Sequence, residues 1–214
     1  MLPLSDENPR RRFPVLTVSL IALNTVVFFL QVGAPGGLKA SIDEFALVPM
    51  QLTEAPMTHY ASLFSSMFMH GGLAHLAGNM LYLWIFGDNI EDRLGYFKYI
   101  LFYLLCGVLA AFSHIAAAPH SAIPTVGASG AISGVLGGYL VLFPSARVKT
   151  LIFLGYYITV VRIPAVVLLG IWILLQVLNS ASADAGGSGV AWLAHIGGFV
   201  AGAVLIRPFL AIRL

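Results

Sequence analysis

Two residues of this sequence, Ser129 and His195, are of the types that act together as a nucleophile and its general base. Ser129 lies in Gly127-Ala128-Ser129-Gly130, which opens an apolar run that continues to Phe143. His195 lies in a second apolar run near the C-terminus, in Ala194-His195-Ile196-Gly197-Gly198. If both runs form helices that pack together, the pair predicts a serine hydrolase in which histidine acts as base and then as acid.

Each of these residues also has a simpler interpretation. Ser129 can belong to a small-residue packing motif, because Gly130, Gly134 and Gly138 recur at the spacing that favours close approach of two helices. His195 can be a core histidine bonded to a carbonyl group. Inside a membrane span, however, an ionisable side chain is costly, and a functional role is the default hypothesis. The packing and catalytic interpretations are compatible, since close packing is what brings a short serine side chain to an imidazole.

A third polar cluster contains His70, His75 and Asn79. His75 and Asn79 are four residues apart, so they share one face of a helix. Both side chains can donate hydrogen bonds, and together with the backbone N–H of Ser129 they could bind an oxyanion. Polar contacts between helices are the alternative. The cluster lacks the His-Glu-x-x-His spacing and has no acidic residue, so we predict no metal and no cofactor.

The composition places these residues in a membrane protein. The chain has 214 residues, of which 59% are hydrophobic and 9% are charged, and its mean hydropathy is +0.91. Soluble domains carry about 25% charged residues, so we predict an all-α membrane protein that is embedded in the lipid bilayer. The net charge of +2 does not indicate nucleic-acid binding, and the single Cys106 excludes a disulfide framework.

Six apolar runs predict a bundle of six transmembrane helices with a short central fourth helix. A span needs about 20 residues, and the fourth run is shorter, so we expect it inside the bundle. The predicted spans are 14–32, 72–87, 96–118, 128–143, 163–179 and 190–206. They form one domain over residues 14–207, between a cytoplasmic N-terminal tail, 1–13, and a cytoplasmic C-terminal tail, 208–214.

The charges predict the orientation of the spans. Of the 11 Lys and Arg residues, all except Lys39 fall in the tails or in loops on one side. Basic residues concentrate on the cytoplasmic side, so both termini are predicted to be cytoplasmic. Ser129, His195, His75 and Asn79 then lie near the outer face.

Two loops are less regular. The stretch 151–161 is apolar but too short to span a membrane, and we expect either a loop on the inner face or a helical extension of the fifth span. The outer loop 179–189 is rich in Gly, Ser and Ala and is expected to be mobile.

Taken together, these motifs resemble the rhomboid intramembrane serine proteases in order and topology. The similarity covers residues 62–207. It rests on His70, His75 and Asn79 in span two, on the Gly127–Gly130 stretch, and on His195 with Gly198 in span six. The similarity implies the prokaryotic six-span form, in the bacterial inner membrane.

The resemblance also implies roles for individual residues. Ser129 would be the nucleophile and His195 the general base, while His75, Asn79 and the Ser129 amide would form the oxyanion hole. The remaining matched residues would support the site: His70 by bracing the first outer loop, Gly198 by allowing close packing of spans four and six, and also Gly127 and Gly130. The implied reaction is cleavage of transmembrane segments of other membrane proteins near the outer face, without a cofactor.

Two positions depart from the family pattern. Ala61-Ser62 stands where the family often carries Trp-Arg, and Ser133 stands where some members place an aromatic residue against the catalytic histidine. The alternative function is a non-catalytic rhomboid-like protein that binds membrane proteins for quality control. The presence of both Ser129 and His195 favours the enzyme.

Overall fold

A computed structural model describes residues 1–155, 157–182 and 191–212. Helices predominate over a single small sheet. In chain order the elements are β1 (Leu2–Asp6), α1 (Val15–Gly33), α2 (Gly37–Phe45), α3 (Pro49–Glu54), α4 (Pro56–His59), α5 (Ser62–Ser65), a 3₁₀ turn (Ser66–Phe68), α6 (Leu73–Leu94), α7 (Tyr96–Ala117), α8 (Ser129–Leu142), β2 (Arg147–Leu154), β3 (Tyr157–Pro164), α9 (Ala165–Ser182) and α10 (Trp192–Ala211).

The apolar helices identify the chain as an integral membrane protein. Four of the described helices, α1, α7, α9 and α10, are long and apolar enough to cross a membrane. Helix α6 has 22 residues, but His75, Asn79 and Asp88 lower its hydropathy. Helix α8 is apolar and has only 14 residues. It lies against α10, α7 and α6, as expected for a short helix that is shielded from lipid by its neighbours.

Tight packing surrounds the central helix. Val135, Leu136 and Tyr139 of α8 are almost wholly buried, as are Tyr103 and Cys106 of α7. The buried side chains of α6, α7, α8 and α10 form one continuous cluster. This packing fixes the depth and rotation of α8, and with them the position of Ser129.

A three-stranded antiparallel sheet, in the order β1-β2-β3, departs from the all-α prediction. It includes residues 151–154 and 157–161, which lie in the two strands of a β-hairpin. The expectation of a helical extension there was wrong. Val160 and Val161 favour strands because they are β-branched, and Gly155 adopts the positive φ of +62° in the turn. Val148 is fully buried at the root of the hairpin, where the sheet joins the bundle.

The predicted N-terminal tail also has a defined structure, because strand β1 completes the sheet. Asp6 accepts hydrogen bonds from the Tyr139 hydroxyl at 2.6 Å and from the Asn89 amide at 3.1 Å. Arg162 of β3 forms an ion pair with Glu7 at 2.7 Å. These contacts attach the N-terminal strand to α6, α8 and the hairpin.

The segment between α1 and α6 folds into the short helices α2 to α5. The Gln31 side chain accepts a hydrogen bond from the His70 backbone N–H at 3.0 Å, which ties the end of this segment to α1. An isolated bridge joins Leu47 to Thr125, which ties its middle to the loop before α8. These contacts anchor the segment in a chain that has Ala61-Ser62 where relatives often have Trp-Arg.

Three helices extend several residues beyond the predicted spans. Helix α6 continues to Leu94, past the predicted end at residue 87. Helix α9 continues to Ser182, so residues 179–182 of the predicted mobile loop are helical, while 183–189 lie outside the described residues. Helix α10 continues to Ala211, so residues 208–211 of the predicted C-terminal tail belong to it.

The burial of Asp6 predicts a pH dependence. Burial raises the pKa of Asp6 from 3.8 to about 6. Because the folded protein favours the neutral carboxyl group, the stabilisation from Asp6 is complete below about pH 4 and is lost as the pH rises through 6. Asp6→Asn keeps a carbonyl acceptor for Tyr139 but cannot ionise. We expect it to melt higher than the wild type at about pH 8 and equally at about pH 4.

Asp43→Asn is the matched control, because Asp43 is exposed and pairs only with its helix neighbour Lys39. Melting temperatures of the purified proteins at the two pH values give the comparison. A difference between Asp6→Asn and the wild type that is the same at both pH values would contradict the predicted linkage.

Candidate active site

Ser129 and His195 face each other in the structure. Ser129 is the first residue of α8 and His195 lies in the first turn of α10. The Ser129 Oγ and His195 Nε2 atoms are 2.8 Å apart, within hydrogen-bonding distance. The nucleophile and base expected from the sequence are therefore brought together in a geometry that permits proton transfer.

Glycines allow the two helices to approach this closely. A Cβ atom at Gly198 would overlap the carbonyl oxygen of Gly130, and one at Gly202 would overlap that of Gly134. Both obstacles are backbone atoms, which cannot rotate away as a side chain can. The small-residue motif therefore supports the Ser–His pair. Close packing of α8 against α10 at these glycines sets the distance between Ser129 and His195.

Gln176 is a residue of the site that the sequence interpretation missed. Its Oε1 atom lies 2.8 Å from His195 Nδ1. An amide carbonyl accepts hydrogen bonds, so this contact places the imidazole hydrogen on Nδ1 and leaves Nε2 as the acceptor that faces Ser129. The signal was available, because Gln176 is a buried amide in the otherwise apolar stretch Ala165–Leu178 of helix α9.

Two tryptophans pack against His195. The ring centroids of Trp172 and Trp192 lie 6.0 Å and 6.2 Å from that of the imidazole. Ser133, which replaces the aromatic residue of some family members, instead donates a hydrogen bond to the Ser129 carbonyl at 2.6 Å. The rings that pack against the histidine in this chain therefore come from α9 and α10, and the amide of Gln176 adds a directional bond.

His75 and Asn79 lie beside the same serine. A Cβ atom at Gly127 would lie 2.8 Å from His75 Nε2 and 3.5 Å from Asn79 Nδ2. Gly127 has a φ of +130°, a region that favours glycine. The loop before Ser129 can thus pass close to both side chains because it carries no side chain of its own.

The polar groups of His75 and Asn79 are oriented toward the site. His75 Nδ1 accepts a long hydrogen bond from the Gly71 N–H at 3.4 Å, which favours a hydrogen on Nε2. The Asn79 Nδ2 atom is buried and, among the described residues, has no hydrogen-bond partner. Buried donors are normally satisfied, so this amide is available to donate to a group that enters the site.

His70 is fully buried next to His75. Its ring makes an edge contact with that of His75, with centroids 5.3 Å apart. Its backbone N–H donates to Gln31, as described above. His70 therefore contacts both the oxyanion candidate His75 and the anchor of the segment between α1 and α6.

Two cavities meet at the Ser–His pair. One, of about 360 Å³, lies beneath the loop before α8, and its lining includes Ser129, His195, His114 and Thr125. The other, of about 310 Å³, lies between α6 and α9, and its lining includes Tyr82 and Trp172 as well as the same pair. The first offers space beside Ser129, and the second connects Ser129 to the side of the bundle.

Comparison with known proteins shows similarity to one family over most of the chain. A family model described as Rhomboid domain matches residues 57–212, which include Ser129, His195, Gln176, His75 and Asn79. The match also covers every helix that lines the two cavities.

Three curated relatives show the extent of the similarity. The chain is 32% identical to the Rhomboid protease GluP of Bacillus subtilis over 150 residues, which are 70% of this chain and 29% of that protein. It is 31% identical to the mitochondrial Rhomboid protein 1 of Saccharomyces cerevisiae, over 72% of this chain and 43% of that protein. It is 30% identical to the chloroplastic Rhomboid-like protein 11 of Arabidopsis thaliana, over 65% of this chain and 49% of that protein. The chain thus spans less than half the length of each of these relatives.

Proposed function

We propose that this chain, which belongs to the rhomboid family, is an intramembrane serine endopeptidase that hydrolyses a peptide bond in or near a transmembrane segment of another membrane protein. The single observation that carries the proposal is the 2.8 Å contact between Ser129 Oγ and His195 Nε2. Cleavage of a single-span reporter protein in proteoliposomes by the wild type, Ser129→Ala and His195→Ala tests it.

The proposed reaction begins with proton transfer between the two residues. His195 Nε2 takes the hydroxyl proton as Ser129 Oγ bonds to the scissile carbonyl carbon. The imidazolium then gives that proton to the leaving amine as the C–N bond breaks, and an acyl-enzyme remains. Water attacks the ester while His195 takes its proton, and Ser129 leaves with that proton restored.

The negative charge that forms on the carbonyl oxygen needs hydrogen-bond donors. We assign this role to Asn79 Nδ2, His75 Nε2 and the backbone N–H of Ser129. The first N–H groups of a helix have no acceptor within it, and Ser129 begins α8. Donors that are already in place stabilise the transition state without reorganisation, and the unpartnered amide of Asn79 is such a donor.

Gln176 has a positioning role in this proposal. Its carbonyl oxygen accepts the Nδ1 hydrogen of His195 and fixes the tautomer that the reaction needs. When His195 gains a proton from Ser129, the same bond becomes charge-assisted and therefore stronger. The neutral amide thus takes the orienting part that a carboxylate has in serine protease triads.

We infer six spans, formed by α1, α6, α7, α8, α9 and α10, with both termini in the cytoplasm. The distribution of Lys and Arg supports this orientation. In this orientation the Ser–His pair lies toward the outer, periplasmic side of a bacterial inner membrane. Helix α6 counts as a span because its His75 and Asn79 face the site, where polar groups are tolerated inside a bundle.

The substrate class follows from the two cavities. A transmembrane segment that approaches from the lipid can reach Ser129 through the cavity between α6 and α9. Its scissile carbonyl must first leave the hydrogen bonding of its own helix, so segments with Gly, Pro or small polar residues are expected to be preferred. The cavity beneath the loop before α8 supplies the space for hydrolytic water.

Removal of the Asn79 amide tests the oxyanion assignment. We expect Asn79→Ala to lower kcat by about 10²-fold, the usual cost of one oxyanion donor, with little change in KM. The matched control is Asn179→Ala, because Asn179 is an exposed amide on α9. Reporter cleavage in proteoliposomes gives both constants. A loss no larger than that of the control would remove Asn79 from the oxyanion hole.

Gln176→Leu tests the orientation of the base. Leucine is of similar size to glutamine but has no acceptor for the Nδ1 hydrogen of His195. A hydrogen bond to a charged group is worth about 1.5–3 kcal/mol. We therefore expect kcat to fall by about 10- to 100-fold. Gln176→Glu restores an oxygen acceptor and should recover most of this loss, which a purely structural role would not explain.

Gln51→Leu is the matched control for this prediction, because Gln51 is exposed on α3. Equal rates for Gln176→Leu, Gln51→Leu and the wild type would contradict the positioning role, and so would a Gln176→Glu protein as slow as Gln176→Leu.

A further inference from the structure

A second cavity system lies at the end of the bundle opposite the Ser–His pair. It is a groove of about 730 Å³ between the segment before α1, the α6–α7 turn and the end of α8. Arg93 lines it from the last turn of α6, whose first turns carry His75 and Asn79. At a rise of 1.5 Å per residue, a helix as long as α6 separates its two ends by about 30 Å. The proposed reaction does not use this groove.

Three guanidinium groups, those of Arg11, Arg12 and Arg93, line the groove with one carboxylate, Asp92. Among the described residues, none of the three arginines forms an ion pair. The groove therefore carries an excess of positive charge. Arginine's planar set of donors suits a phosphate group.

Neighbouring carboxylates compensate this charge only in part. Asp88 forms an ion pair with Arg10 at 3.3 Å. Glu91 accepts hydrogen bonds from the backbone N–H groups of Leu16 and Thr17 at 2.9 Å and 2.7 Å, which hold the start of α1 against α6 but leave its charge in place. Among the described residues that line the groove and the small cavity beside it, the three arginines therefore still outnumber the two carboxylates without an ion-pair partner, Glu91 and Asp92.

Arg93 is held in the wall of the groove. Its guanidinium carbon lies 5.7 Å from the centroid of the Phe143 ring, a cation–π contact. That contact orients Arg93 without neutralising it. The groove is thus a partly ordered cationic site, since one of its three positive groups is fixed by an aromatic ring.

Exposed aromatic side chains directly follow residues that line the groove: Phe13 follows Arg12, and Tyr96 and Phe97 follow Gly95. Phe13 and Phe97 are 62% and 63% exposed. Tyr96 is 46% exposed and lines a small adjoining cavity together with Arg12 and Phe13. Helices α1 and α7, which begin beside these residues, are both apolar enough to span a membrane. A ligand with an anionic head and apolar chains would match both parts of this surface.

We propose that the groove binds the headgroup of an anionic phospholipid, with the phosphate against Arg11, Arg12 and Arg93 and the acyl chains along Phe13, Tyr96 and Phe97. Basic sites between helix ends on the cytoplasmic side suit such headgroups. Inorganic phosphate shares the headgroup's chemistry but not the apolar part, so the exposed aromatic residues favour the lipid.

Native mass spectrometry of the detergent-solubilised full chain tests the proposal. The Ser129→Ala protein is used, so that the result does not depend on proteolysis. Phosphatidylglycerol and phosphatidylcholine with the same acyl chains are titrated separately, and inorganic phosphate is added as a competitor. We expect phosphatidylglycerol to bind more tightly than phosphatidylcholine and to resist an excess of inorganic phosphate.

The groove variant is Arg12→Gln/Arg93→Gln, and the matched control is Arg147→Gln/Arg207→Gln. The control removes the same charge from exposed arginines on the same side of the protein but outside the groove. We expect the groove pair to weaken phosphatidylglycerol binding by about 25-fold, at about fivefold for each headgroup contact, and the control pair to weaken it by less than about threefold. Arg11→Gln/Arg12→Gln repeats the test without disturbing the Arg93–Phe143 contact.

Three results would overturn the proposal. If the groove variant and the control variant weaken phosphatidylglycerol binding equally, the lipid is attracted by the overall positive charge of this face and not by the groove. Equal binding of the two phospholipids would show that the headgroup charge is not recognised. Displacement of the lipid by inorganic phosphate at comparable concentration would show a site for free anions.

Discussion

Ser129→Ala should abolish cleavage of a single-span reporter in proteoliposomes, and His195→Ala should have an effect of similar size. Each change removes one half of a unit in which the nucleophile is activated by its base. Loss of either member of such a unit costs on the order of 10⁶-fold in kcat. The Ser129→Ala/His195→Ala protein should be no slower than either single variant, because the two residues act together.

Ser133→Ala is the matched control for this prediction. Ser133 lies one turn further along α8, and its hydroxyl donates to the Ser129 carbonyl rather than to His195. We expect this variant to keep most of the wild-type rate, since the hydroxyl makes a local bond that helices tolerate losing. A Ser129→Ala protein that cleaves as fast as Ser133→Ala would refute the mechanism.

Gly202→Ala should lower both stability and activity, through packing. Its Cβ atom would overlap the backbone carbonyl of Gly134, so α8 and α10 must move apart. Overpacking of this kind costs about 1–3 kcal/mol of stability. Because Ser129 and His195 lie on the same two helices, a displacement of about 1 Å between them should also lower kcat by about 10²-fold.

Gly170→Ala in α9 is the control, because a Cβ atom there meets nothing within 4 Å. An alanine in an open helical position is about 0.5–1 kcal/mol more favourable than glycine, so this variant should melt slightly higher than the wild type and cleave normally. The melting temperature should thus change in opposite directions in the two glycine variants, and only Gly202→Ala should lower reporter cleavage. Similar behaviour of both would contradict the account of the α8–α10 contact.

The contact between Ser129 and His195 was predictable because residue types and spacing both pointed to it. Glycines at four-residue intervals predicted that α8 packs closely, and an ionisable residue in an apolar run predicted a site. The hydrogen-bond partner of His195, Gln176, was harder to predict from the sequence. Gln176 is recognisable as polar, but whether it faces lipid or the site depends on the rotation of α9, which only contacts with other helices determine.

The sheet was missed for a related reason. Residues 151–161 form a short apolar run, and periodicity alone does not separate a strand from a helical segment in such runs. Strand β1 pairs Leu2 with Leu151, and no local pattern in the first residues reveals a partner so distant in sequence. Local signals therefore predicted most of the helices and the proximity of Ser129 and His195, whereas long-range strand pairing and the rotation of helices required the three-dimensional structure.

Covalent trapping of the nucleophile tests the central claim most directly. A fluorophosphonate reacts with an activated serine oxygen and releases fluoride, and the resulting ester is stable enough for peptide mass spectrometry. We expect a single adduct, on Ser129, whose formation stops in the His195→Ala protein, while Ser133 stays unmodified. A wild-type protein that cleaves the reporter but carries its adduct on another residue, or that reacts equally well without His195, would contradict the assignment of Ser129 and His195 as nucleophile and base.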